Sequence, residues 1–218
     1  MKAALFDLDN TLYDAQQYFL GAFIDVSKYI AAKHDIPERA VYKALVKLWE
    51  EKTSMYPYLF NDLLELLHLG QDSLPIVVKT FNEYAGTIEP YPDAIPTLHV
   101  LKETRVKLGI ITDGNAERQK RKIKLLGLTP LFDVVIYARE VAPKPSPTPF
   151  LAALERLSVR AVDAFYIADN PLIDFKGAKE AGMKTIRVLQ GEFAVIPRDE
   201  HIDFEIEKLS ELVELTGV

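Results

Sequence analysis

Two textures divide the chain. One consists of short, unbroken apolar runs, and the other of longer segments whose apolar residues recur every three or four positions. The first run, Lys2 to Phe6 (KAALF), predicts a buried strand. From residue 14 to about residue 85 the helical period holds throughout. AQQYFLGAFIDVSKYIAAKH carries it first, and PERAVYKALVKLWEE repeats it with Pro37 at a first-turn position. LFNDLLELLHLG closes on Gly70 as an expected C-cap, and LPIVVKTFNEYAG runs on to Gly86. Three prolines in IEPYPDAIP then break the pattern.

From about residue 95 the two textures alternate. AIPTLHVLKET predicts a helix and VKLGIITDG a buried strand ending in a turn. NAERQKRKIKLLGL predicts a helix with Asn115 as N-cap. FDVVIYA, AFYIADN and MKTIRVL read as strands, separated by the helices SPTPFLAALERL and PLIDFKGAKEAG. The tail EIEKLSELVEL reads as a short helix. Strands alternating with helices imply a parallel sheet, so the fold class is α/β, interrupted after its first strand by an all-helical insert. The expected division is a core of residues 1–13 and 88–218 and an insert of residues 14–87.

Composition narrows the picture. Hydrophobic residues make up 49% of the 218, enough for a sizeable core. A net charge of -6 does not suit nucleic-acid binding, which depends on neutralising phosphates. The absence of cysteine excludes disulfides, thiolate zinc sites and a cysteine nucleophile. Acidic residues arrive too early for a secretory leader, and no apolar run approaches the roughly 18 residues of a membrane span. The expected location is the cytoplasm, with neither membrane nor nucleic acid as partner. A homodimer is compatible with this reading.

In a parallel sheet, polar sites gather at the carboxyl ends of the strands. There the sequence places Asp7, Asp9 and Thr11, then Thr112, Asp113 and Gly114, then Lys144 between two prolines, then Asp169, Asn170 and Asp174. Side chains two apart on a strand share a face, so Asp7 and Asp9 point the same way. Such carboxylates repel and drive their pKa values apart. Asp7, Asp9, Asp169 and Asp174 bring four negative charges against the one positive charge of Lys144. They cannot converge without a cation or a protonated carboxyl. An all-oxygen donor set favours a hard divalent ion, and Mg²⁺ typically takes a few carboxylates with waters and a phosphate oxygen. Thr112, Lys144 and the backbone N–H groups around Asp113 and Gly114 form a candidate phosphate clamp. An Asp carboxylate can attack phosphorus, while a second can protonate the leaving oxygen and later deprotonate water.

Together FDLDNTL, IITDG, KPSPTPF and ADNPLIDFKGAKEAG resemble the haloacid dehalogenase (HAD) superfamily, in the family's order and over nearly the whole chain. The resemblance implies a subfamily I phosphatase. It would have a Rossmann-like, doubly wound parallel core and a helical cap between its first and second motifs. On that resemblance Asp7 is the nucleophile and Asp9 the acid/base, while Thr112, Asp113 and Lys144 bind the phosphoryl group. Mg²⁺ is held by Asp7, Asp169 and the backbone carbonyl of Asp9. Asp174 acts as a further acidic group at the metal-bound water or Lys144. The cap is expected to exclude bulk water and to choose a small phosphorylated metabolite. Ala168 and Asn10 stand where many members have Gly, and neither is expected to remove activity.

Alternatives within the family are a phosphomutase, a nucleoside 5'-monophosphate phosphatase and a 2-haloacid dehalogenase. The last needs no second acidic residue, whereas Asp9 supplies one. Outside enzymes, a phosphoacceptor signalling domain shares the residue types but normally lacks a large insert. The basic run ERQKRKIK reads as a solvated helix face opposite Ile123 and Leu126. Histidines 34, 68, 99 and 201 show no metal-ligand spacing. Tyr13, Tyr18, Tyr56, Tyr58 and Phe60 are candidates for lining a substrate pocket, with helix packing the commoner explanation.

Overall fold

The computed structural model describes residues 1–217. Its first strand, β1 (Ala3–Phe6), is buried along its whole length, as expected of a strand covered on both faces. Four helices follow: α1 (Gln16–His34), α2 (Glu38–Lys52), α3 (Leu59–Leu66) and α4 (Leu74–Asn82). Then come α5 (Ala94–Glu103), β2 (Lys107–Thr112), α6 (Ala116–Leu125) and β3 (Val134–Tyr137). Two further helices, α7 (Ala138–Val141) and α8 (Thr148–Leu157), lead into β4 (Ala164–Ala168). The chain closes with α9 (Phe175–Glu180), β5 (Lys184–Val188), β6 (Phe204–Ile206) and α10 (Glu211–Thr216).

All six strands are parallel, in the order β3-β2-β1-β4-β5-β6. The winding reverses at β1, whose neighbours are β2 and β4. Phe6 pairs with Ile110 on one side and with Ile167 on the other. Such a reversal opens a crevice beyond the strand ends, where ligands of doubly wound sheets bind. One face of the sheet carries a continuous core that includes Leu5, Ile111, Ile136, Phe150, Tyr166 and Phe175, closed over by α8 and α9. On the other side α5 packs on β2, and α10 on α5.

The chain divides into two compact units, Met1–Ala15 with Ile88–Val218, and Gln16–Thr87. The second unit is α1 to α4, wrapped around aromatic side chains. Phe19 stacks on Trp49 at 5.5 Å, and Phe60 meets Phe81 edge-on at 5.1 Å. Tyr18 is fully buried and its hydroxyl donates to the carbonyls of Phe81 and Asn82 at 2.9 and 3.1 Å. Tyr18 and Phe60 thus pack within their own unit.

Several element ends differ from the sequence reading. Residues 204–206 are a sixth strand, so the tail helix is confined to Glu211–Thr216. Thr185 and Asp203 tie this strand down: the Thr185 N–H donates to the Asp203 carboxylate at 2.9 Å. Gly70 is not a C-cap, because α3 ends at Leu66 and His68 takes the positive φ instead. Likewise α4 stops at Asn82, four residues short of Gly86. Pro37 precedes α2 as its N-cap residue. Asn115 caps α6, its side chain accepting from the Arg118 N–H at 3.0 Å.

Candidate active site

The strand register sets the site. The Asp7 N–H donates to the Ile167 carbonyl at 2.9 Å, so Asp7 and Asp169 leave the ends of adjacent strands together. Thr112 is the last residue of β2. Lys144 follows α7 in the loop before α8, and its N–H donates to the Asp113 carboxylate at 3.1 Å. Gly177 lets α9 approach that loop: a Cβ there would collide with the Pro145 carbonyl and lie 2.7 Å from that of Ser146.

Lys144 is the hub. Its ammonium donates to Asp7 Oδ1 at 2.7 Å, to Asp174 Oδ1 at 2.6 Å and to the Tyr166 hydroxyl at 3.1 Å. The Tyr166 hydroxyl donates in turn to Asp174 Oδ1 at 2.9 Å. Asp174 Oδ2 accepts the Asn170 N–H at 3.1 Å. Both oxygens of Asp174 are therefore engaged by protein. Burial would push the Lys144 ammonium down, but Asp174 and Asp7 outweigh it and hold its pKa well above the ordinary lysine value.

Burial also acts on the carboxyls. It lifts Asp7, against the pull of Lys144 and with the charge of Asp174, to about 7. It lifts Asp169 well above the carboxylate range, helped by Asp174 and Asp7. Asp169 Oδ2 is buried and has no hydrogen-bond partner. Burial raises Asp113 too, and its Oδ1 is likewise buried and unpartnered.

Asp9 belongs to a second network. The Lys122 ammonium donates to its two oxygens at 2.7 and 3.0 Å. Gln119 Nε2 donates to Asp9 Oδ2 at 2.9 Å and to Thr112 Oγ1 at 2.6 Å. The Tyr13 hydroxyl donates to Asp9 Oδ1. Burial favours the neutral acid, but Lys122 and these donors overcome it and bring Asp9 to about 2. Burial lowers Lys122 to about 8 although Asp9 opposes this, so both partners are charged at neutral pH.

Lys122 and Gln119 were not among the site residues expected from the sequence, and Tyr13 was expected as a pocket-lining or packing aromatic rather than as a partner of Asp9. Lys122 and Gln119 lie in the basic run read as a solvated face, yet they are 1% and 0% exposed. Their i, i+3 spacing just after the Thr112 strand end is the signal that marks them. Tyr13 lies outside the helical unit and turns its hydroxyl to Asp9.

No group of three or more His, Cys, Asp or Glu side chains is arranged as a metal cage among the described residues. A two-carboxylate Mg²⁺ site completed by a carbonyl, waters and substrate needs no such cage. The residues fit that kind of site. Asp169 offers a buried oxygen that no protein donor satisfies, beside Asp7. With Asp7, Asp9, Asp169 and Asp174 all ionised, Lys144 and Lys122 leave two negative charges among these six groups, the charge a divalent ion would balance.

Residues 4–188 match the model of the haloacid dehalogenase-like hydrolase family. A curated relative from Methanocaldococcus jannaschii, named glyceraldehyde 3-phosphate phosphatase, is 34% identical, the match covering 99% of this chain and 96% of that protein. The crystal structure of a HAD phosphatase from Thermococcus onnurineus superposes with a TM-score of 0.72 at 30% identity, covering 100% and 98% of the two chains. That of a 2-haloacid dehalogenase from Pseudomonas syringae gives 0.70 at 29% identity over the same shares.

Proposed function

The chain belongs to the haloacid dehalogenase-like hydrolase family and is a phosphatase of small phosphorylated metabolites, and we propose that it works through an aspartyl-phosphate on Asp7 with Mg²⁺ as cofactor. The observation that carries this reading is the unequal sharing of buried charge. Asp7 and Asp174 divide one ammonium group, while Asp169 keeps a buried oxygen without a donor.

Asp7 Oδ attacks phosphorus and the bond to the leaving oxygen breaks, with Asp9 delivering the proton to that oxygen. Water then attacks phosphorus, Asp9 takes its proton, and the bond from phosphorus to Asp7 breaks. The two negative charges of an incoming phosphoryl group raise the proton affinity of Asp9 for the first step. Thr112, Lys144 and the N–H groups at Asp113 and Gly114 hold the transferred group. Asp7, Asp169 and the Asp9 carbonyl would hold Mg²⁺, which supplies charge neutralisation for Asp7 and the phosphoryl oxygens. Asp174 acts through Lys144 and so positions rather than ligates.

Carbon–halogen hydrolysis, the activity named for the Pseudomonas syringae neighbour, leaves the proton-donating role of Asp9 without a task, since halide departs unprotonated. The test is a panel of phosphorylated metabolites headed by glyceraldehyde 3-phosphate, assayed with Mg²⁺ and with chelator. Turnover should require Mg²⁺ and vanish in Asp7→Asn. An active Asp7→Asn, or undiminished turnover with chelator, would overturn the reading.

A further inference from the structure

Two side chains of α6 that face inward rather than toward solvent link the first strand end to the second. Gln119 and Lys122 occupy neighbouring positions on one helix edge, and both are buried. Lys122 spans both oxygens of Asp9, and Gln119 Nε2 lies between Asp9 Oδ2 and Thr112 Oγ1. Gln119 Oε1 is buried without a partner. A glutamine kept only for packing would not leave that acceptor unsatisfied, because such a group costs about 1–3 kcal/mol. What fixes its orientation is the donor side, since a carboxylate can only accept.

The consequence reaches Thr112. A hydroxyl whose oxygen already accepts a hydrogen bond keeps its own hydrogen for an acceptor elsewhere. We propose that Gln119 and Lys122 are positioning residues of the phosphatase reaction, holding the Asp9 carboxylate at its proton-transfer position and turning the Thr112 hydroxyl hydrogen toward a phosphoryl oxygen. The inference rests on the roles given above to Asp9 and Thr112. Tyr13 supports the same carboxylate from the chain's first loop.

The test uses substrates that differ in their need for a proton. An alkyl phosphate releases a poor alkoxide, whereas para-nitrophenyl phosphate releases a stable phenolate without protonation. In Lys122→Met, the single-turnover rate on glycerol phosphate should fall ~100-fold, while the nitrophenolate burst stays within ~3-fold of wild type and near one per site. Slow turnover should follow the burst, because water activation also needs Asp9. In Gln119→Leu, competition by inorganic phosphate should weaken about 10-fold through the loss of one oriented donor. Lys122→Arg, which keeps the charge and two donors, should recover most of the alkyl rate.

The burst amplitude counts intact sites and so separates misfolding from mispositioning. Should Lys122→Met fail to fold, Gln119→Leu and Lys122→Arg carry the test. Equal losses on both substrates, or no loss on either, would overturn the inference. Asp9→Asn separates the two readings. If it keeps the alkyl rate, the role of Asp9 is wrong. If it loses that rate while Lys122→Met does not, only the positioning role falls.

Discussion

Lys144 Nζ stands almost equidistant from two carboxylates, 2.7 Å from Asp7 Oδ1 and 2.6 Å from Asp174 Oδ1, with all three side chains nearly excluded from solvent. One ammonium group thus holds the carboxylate proposed as nucleophile and is itself held by a second. Removing one partner of a buried ion pair leaves the other charge uncompensated, at a cost of about 3–5 kcal/mol. Lys144→Met should lower stability by about that amount in urea unfolding and lower kcat by ~10³-fold or more. A folded, equally stable Lys144→Met with unchanged kcat would contradict the role given to Lys144.

Tyr166 separates anchoring from chemistry. Its hydroxyl donates to Asp174 and accepts from Lys144 inside the core. Tyr166→Phe deletes one hydrogen bond and leaves the ion pair standing. It should cost about 1–2 kcal/mol and reduce kcat less than ~10-fold, measured by unfolding and steady-state assay.

Gly177 tests the approach of α9 to the Lys144 loop. Its missing side chain admits the carbonyls of Pro145 and Ser146, which are backbone and cannot swing aside. Gly177→Ala should destabilise by about 1–3 kcal/mol and lower kcat by displacing Lys144. Wild-type stability and rate in Gly177→Ala would show that the loop yields freely.

The metal-free protein should show an inverted pH profile around Asp7. Burial raises this carboxyl from its ordinary 3.8 to about 7, so the folded state binds its proton more tightly than the unfolded state does. That contribution is fully present below about pH 4 and is lost as pH rises through about 7. Asp169, raised in the same direction, adds to it. With chelator present, Tm should fall between about pH 4 and about pH 7, and Asp7→Asn should flatten the fall. A wild-type profile indistinguishable from that of Asp7→Asn would remove Asp7 as the source.

The sheet and its strand ends were legible because β1, β2 and β4 are buried on both faces and so read as unbroken apolar runs ending in polar residues. The sixth strand was hidden by its length. Phe204–Ile206 is three residues long, and Glu205 within it with Glu207 and Lys208 after it gave the stretch a helical look. Helix ends at Gly70 and Gly86 failed because His68 turned the chain first and α4 ended at Asn82. Lys122 and Gln119 were missed for a different reason. Polarity on a helix normally marks the solvent face, but here it marks a buried edge whose partner, Asp9, lies 110 or more residues away in sequence.

The central claim is that Asp7 becomes covalently phosphorylated. Its most direct test is to acid-quench Asp9→Asn during turnover of para-nitrophenyl phosphate, reduce the acyl phosphate with borohydride and map the modified residue by peptide mass spectrometry. The account predicts modification at Asp7 and at no other carboxylate. Modification at another residue, or none during active turnover, would contradict it.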